Sequence, residues 1–174
     1  MLNLGQKDDV VVSRDMIRTA TRFSLATALI DSVSLLNTRL NAVFSALDPV
    51  QYQAIQNLRS ACALKYTHMK VLQSIDSLAW EGRSIQYNRQ TPLHADSTDP
   101  PTAWVALVAL GEFKGGSLFI PRLNLVLYYE PGTIIFLRGH ILPHQVLPFY
   151  GGQRLSIAHF THESLWNEMG VACP

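Results

Sequence analysis

Cysteine is scarce in this chain. Its 174 residues include two, Cys62 and Cys173, and their separation matches no zinc or redox spacing. Two free thiols in a reducing compartment are expected. Charge is also scarce. Only 16% of residues are charged, and 14 Lys and Arg stand against 13 Asp and Glu to leave +1. Composition therefore carries no sign of the basic face common in nucleic-acid binders, although a local basic stripe would be averaged away. Long apolar runs are missing too: none reaches the roughly 18 residues that span a bilayer. Lys7, Asp8 and Asp9 stand where a secretory leader would be apolar. These absences point to a soluble, intracellular protein with no membrane partner. No repeat, low-complexity segment or flexible linker interrupts the chain, and its length suits one domain.

What is present divides into two textures. Hydrophobic residues make up 48% of the chain, enough for a sizeable core. From about residue 13 to 78, apolar positions recur at helical spacing: Ile17, Leu25 and Leu29, then Val33, Leu36, Leu40, Val43, Phe44 and Leu47. Ser13 reads as a helix start, and Asp48-Pro49 as a stop followed by a new start. These apolar stripes are expected to be core. After Gly82 short β-rich runs alternate with Gly115-Gly116, Pro121, Pro131-Gly132 and Gly151-Gly152. Many short strands with regular turn signals predict an antiparallel sandwich or jelly roll. The expected class is α+β, a jelly roll over 81–162 buttressed by helices over 1–80, in a single domain spanning 1–174.

Two clusters carry chemistry. In His94-Ala95-Asp96 the imidazole and carboxylate fall on one face of an extended strand, where both can reach one metal ion. Two histidines and one carboxylate leave the opposite coordination positions open, which suits iron(II) that must also take a chelating cosubstrate and dioxygen. The second cluster is Pro143-His144-Gln145-Val146-Leu147-Pro148 followed by Gly151-Gly152-Gln153-Arg154-Leu155-Ser156. A hairpin turning at the two glycines would bring His144 and Arg154 to one pocket. Arg154 could then grip a carboxylate in bidentate fashion, with Ser156 adding a hydroxyl. His140 is the other candidate for the distal metal ligand; the stretch 145–148 and the spacing to Arg154 favour His144. Tyr87 and Asn88, just before the first cluster, could hydrogen-bond cosubstrate or substrate. Asp99 could meet a base edge or cap the turn at Pro100-Pro101. Arg138 could meet a phosphate or the cosubstrate, and His140 and His162 could border the substrate pocket. His159 reads as an ordinary sheet residue.

Taken together, HxD, a distal histidine in an H-x-V-x-P setting and G-x-R-x-S resemble the 2-oxoglutarate/Fe(II)-dependent dioxygenase superfamily. The segments His94–Asp99, Leu137–His144 and Phe160-Thr161-His162 resemble its fungal TET/JBP-like branch. That resemblance implies a double-stranded β-helix with iron on His94, Asp96 and His144, and 2-oxoglutarate on Arg154. It also implies dioxygen as cosubstrate and oxidation of 5-methylcytosine in DNA, in the nucleus. The cysteine-rich DNA-gripping region of animal TET enzymes has no counterpart here. A prolyl-type or small-molecule hydroxylase of the same superfamily is the alternative.

Overall fold

The structure, a computed structural model, describes residues 2–4 and 10–174, with side chains from residue 10 onward; Lys7, Asp8 and Asp9 lie outside these. The described chain forms two compact units. One runs up to Gly82 and includes Glu163–Pro174; the other is Arg83–His162.

The first unit is helical. A small antiparallel pair, β1 (Leu2–Leu4) and β2 (Val10–Val12), precedes α1 (Arg14–Ile17), α2 (Ala20–Ser32), α3 (Ser34–Leu47), α4 (Pro49–Lys65) and α5 (Thr67–Ile75). The segment α6 (Glu163–Met169) joins them from the C-terminal end. Helix starts follow local chemistry. Ser13 Oγ accepts from Asp15 N at 3.3 Å, Thr19 Oγ1 from Arg22 N at 3.2 Å, and Asp48 Oδ1 from Gln51 N at 2.9 Å. Pro49 then occupies the first turn of α4, where no N–H is needed. The apolar spacing through 17–47 predicts longer helices than are found. The cap at Thr19 and the non-helical backbone at Val33 (φ −101°, ψ 10°) cut it into three.

Leu40, Phe44, Leu58, Cys62 and Met69 are fully buried, and Phe44 stacks on Trp80 with ring centroids 4.6 Å apart. Burial pushes the Cys62 thiol up to about 12, so it is an inert core group; both cysteines are free thiols. Arg59 Nη1 pairs with Glu81 Oε1 at 3.0 Å within this unit, and Lys65 pairs with Glu168. The expectation that every helical stripe is core needs correction. Leu25, Leu29, Val43, Leu47 and Leu64 are exposed, because the apolar positions cover more of each helix circumference than its neighbours do. No helix among the described residues is long and apolar enough to cross a membrane.

The second unit is a double-stranded β-helix of two sheets. The strands are β3 (Gly82–Tyr87), β4 (Val105–Gly115), β5 (Leu118–Ile120), β6 (Leu125–Leu127), β7 (Ile134–Leu137), β8 (Gln145–Val146) and β9 (Phe149–Phe160). One sheet has the order β3-β9-β4-β7 and the other β6-β5-β8. Alternate residues of β4, Val105, Leu107 and Ala109, face a core shared with Leu118, Ile120, Val146 and Leu137.

Two chain crossings pass between the sheets and are tied together. Gly115 (φ 77°) and Gly116 (φ 72°) carry the chain from β4 to β5, and Leu147-Pro148 carries it from β8 to β9. Gly116 N donates to Pro148 O at 3.0 Å, and Leu147 N to Ser117 O at 2.9 Å. Side chains at the two glycines would be disfavoured by φ alone.

Candidate active site

The three HxD-and-histidine groups converge, and the backbone explains how. Outside the named strands, His94 and His144 form an isolated antiparallel bridge. His94 N donates to His144 O at 3.1 Å, and His144 N to His94 O at 2.9 Å. The rings lie 4.4 Å apart. Each Nδ1–H donates to a carbonyl two residues earlier, Pro92 O at 2.9 Å and Leu142 O at 3.0 Å. Only a protonated nitrogen can make that bond, so in the neutral ring it is Nε2 that keeps the free lone pair. Asp96 N donates to Gly139 O at 3.1 Å, and Asp96 Oδ1 lies 3.6 Å from His94 Nε2. One ligand atom from each of His94, Asp96 and His144 falls within 4.8 Å of the others. Burial holds His144 below the usual imidazole range, which favours the neutral ring a metal requires. A facial set of two imidazoles and one carboxylate fits iron(II) with open positions.

Gly139 is part of this arrangement. A Cβ there would stand 1.9 Å from Asp96 Oδ2. Gly139→Ala is therefore expected to swing the carboxylate out of the cluster and lower iron affinity by about 10- to 100-fold, the range seen when a ligand's support is removed. Metal titration of the variant checks this. Unchanged affinity would show that Asp96 can be held elsewhere.

The expected hairpin is not what brings His144 and Arg154 together. His144 leads into β8 of the three-stranded sheet, whereas Arg154 lies on β9 of the four-stranded sheet. Both line one cavity of about 290 Å³, from different sheets. Gly151-Gly152 is not the turn either. It sits inside β9 at φ 71° and 72°, where the β4–β9 register shifts between Glu112 and Lys114. Pro148 supplies no N–H to continue β8, so the chain changes sheets before the glycines.

Arg154 is 1% exposed, and its Nε, Nη1 and Nη2 make no hydrogen bond to any described residue. Its guanidinium carbon lies 5.2–5.4 Å from the ring centroids of Phe113, Tyr129 and Phe149. Burial lowers its pKa, yet a guanidinium stays charged. A buried cation held by aromatic faces with every donor unused calls for an anion. The distal carboxylate of 2-oxoglutarate fits that requirement. Ser156, two residues along β9, lines the same cavity.

Asp99 and His162 form a second polar group on this cavity. Asp99 is 2% exposed, and His162 Nδ1 lies 2.8 Å from its Oδ1. Burial, opposed by that bond, raises the Asp99 pKa. The Phe160 and His162 rings are 4.7 Å apart. His140 lies outside the metal cluster; its Nδ1 donates to Asp99 O at 2.6 Å, so it braces the Asp99 backbone. Arg138 is not on the cavity wall but stacks over Trp104 at 4.8 Å. Tyr87 is 55% exposed and away from the cavity, and Asn88 hydrogen-bonds the Arg154 main chain. His159 is fully buried in β9 with Nδ1 3.0 Å from Ala106 O.

Sequence reasoning missed Ser84, Gln86, Thr91, Tyr129 and Phe160 on the cavity wall. Three were within reach. Ser84 and Gln86 alternate on β3, and Phe160 continues the Arg154, Ser156, Ala158 alternation on β9. Tyr129 follows β6 in no repeating pattern and carried no signal.

Comparison with known proteins supports the chemistry of the site. No curated protein sequence matches the chain. Among solved structures it is similar to NgTET1 in complex with 5mC DNA, with a TM-score of 0.72 and 14% identity. The aligned part covers 94% of this chain and 59% of that one, so the chain spans less than two thirds of that relative. Residues 13–163 match the Tet_JBP model, described as the oxygenase domain of the 2OGFeDO superfamily. The chain belongs to the Tet_JBP family and is a dioxygenase that uses Fe(II) and 2-oxoglutarate.

Proposed function

We propose that this chain oxidises the methyl group of 5-methylcytosine in DNA, with iron held by His94, Asp96 and His144 and 2-oxoglutarate by Arg154 and Ser156. The observation that carries the substrate is buried Asp99 paired with half-buried His162 beside Phe160, on the cavity that also holds the three metal-ligating groups. Asp99 Oδ1 is engaged by His162, which leaves the other oxygen as an acceptor. Cytosine presents an exocyclic amine donor there, whereas thymine presents an oxygen that a carboxylate repels. Phe160 offers a flat face for a base taken out of the stack, a step that costs a few kcal/mol. When bound, the iron and 2-oxoglutarate supply the oxidising chemistry through activation of dioxygen and oxidative decarboxylation. The protein's own part is to orient the methyl group toward the metal and to exclude water. The structural similarity to NgTET1 with 5mC DNA supports this substrate.

Residues 1–174 would act as one catalytic domain, consistent with a family match over 13–163, and would work where the DNA is, in the nucleus. With a net charge of +1, phosphate contacts must come from a local strip. Arg89, Lys114, Arg122 and Arg138 are candidates; Arg83 is 8% exposed and is not. Incubation with Fe(II), ascorbate, 2-oxoglutarate and duplexes carrying 5-methylcytosine, read by nucleoside mass spectrometry, tests this. 5-Hydroxymethylcytosine is expected, and Asp99→Asn should narrow the preference for 5-methylcytosine over thymine by at least about tenfold, the equivalent of one base-edge contact. Succinate formation without any oxidised base would overturn the DNA substrate and move the assignment to a protein or small-molecule hydroxylase.

A further inference from the structure

We infer that Asn88 is a positioning residue that sets the depth of Arg154 and thereby the length of 2-oxo acid the enzyme accepts. The inference rests on Arg154 as the carboxylate anchor. Asn88 follows the end of β3 with φ 49°, in the left-handed region that Asn tolerates better than most residues. That conformation lets it grip Arg154 twice. Asn88 N donates to Arg154 O at 2.8 Å, and Asn88 Oδ1 accepts from Arg154 N at 2.7 Å. Arg154 is opposite Gly111 on the other neighbouring strand, β4. Gly111 has φ 108°, and a Cβ there would stand 2.1 Å from Gln153 O, so the backbones are packed tightly on that side.

The guanidinium itself makes no hydrogen bond to any described residue. Its place is therefore set by its main chain and by the three aromatic rings, and the main chain is set on one side by Asn88. A carboxylate reaching Arg154 from the metal must span a fixed length. On this inference, that length favours the five-carbon 2-oxo acid over one a methylene longer.

The test compares binding of 2-oxoglutarate and 2-oxoadipate to the Fe(II)-loaded full chain under anaerobic conditions by calorimetry. Asn88→Gly keeps the backbone conformation and removes the acceptor. It should weaken 2-oxoglutarate roughly three- to tenfold, the effect of one hydrogen bond, while 2-oxoadipate changes little, so the selectivity ratio narrows. Asn88→Asp keeps an acceptor at the same reach and should retain the ratio. Asn88→Gln, which shifts the acceptor by one methylene, gives the same test if the glycine variant does not fold. Equal weakening of both acids, or no change in either, overturns the positioning role. Arg154→Met is measured alongside: if it binds 2-oxoglutarate as the parent does, the anchor assignment fails instead.

Discussion

His144→Ala is expected to abolish turnover, with a loss of at least about a thousandfold, the equivalent of about 4 kcal/mol. His144 is 4% exposed, and it supplies one of three ligand atoms gathered within 4.8 Å. Alanine removes that ligand and leaves two, too few to hold iron(II) with its cosubstrate in a defined geometry. The isolated bridge to His94 is made by main-chain atoms, so the substitution leaves it in place. The loss should therefore appear in metal content and activity with little change in secondary structure. His140→Ala is the control. Because His140 braces Asp99 O, it should affect substrate affinity and keep iron. A variant set in which His144→Ala works normally and His140→Ala loses iron would overturn the ligand assignment.

Arg154→Met is expected to raise the Michaelis constant for 2-oxoglutarate at least about tenfold, and by more where the full cost of an unpaired carboxylate, about 2–5 kcal/mol, is felt. It should do so without destabilising the fold. Arg154 is buried with no described hydrogen-bonding partner for its guanidinium, and a buried unpaired charge is a net cost to folding. Methionine suits the space between Phe113, Tyr129 and Phe149 and carries no charge. The thermal midpoint without cosubstrate should thus hold or rise while cosubstrate affinity collapses. Arg154→Lys should fall between, since an ammonium is a point donor without the planar fork. An unchanged Michaelis constant in the methionine variant would remove Arg154 from the site.

The gathering of His94, Asp96 and His144 was legible because its signals are local. His94 and Asp96 share a face through period-two geometry, and His144 stands out by its spacing to Arg154. The route by which they meet was not legible. The hairpin expectation treated Gly151-Gly152 as a turn, when Pro148 had already moved the chain to the other sheet. Paired glycines mark positive φ equally well in a turn and in a bulge, so composition could not separate the two. Asn88 stood out as a residue able to bond cosubstrate or substrate; its two bonds to the Arg154 main chain were not legible, because a long-range main-chain contact leaves no trace in neighbouring residues. The helical half shows the converse limit. Its spacing predicted helices well, yet Leu25, Val43 and Leu64 lie exposed, since periodicity reports a face and not what covers it. The small pair β1 and β2 and the short α6 carried too few residues for any period to register.

β9 behaves as a ruler. Arg154, Ser156, Ala158 and Phe160 all reach the cavity from this one strand, and about 3.3 Å of rise separates each residue from the next. On the proposed roles, the distance from carboxylate anchor to base platform is thus written in residue count, not in loop conformation. Inserting or deleting a single residue between them would turn one end of the series away from the cavity while the other stayed. Point substitutions at the Phe160 end, by contrast, leave the Arg154 end untouched. Such a strand makes indels within 154–160 far less tolerable than changes of side chain.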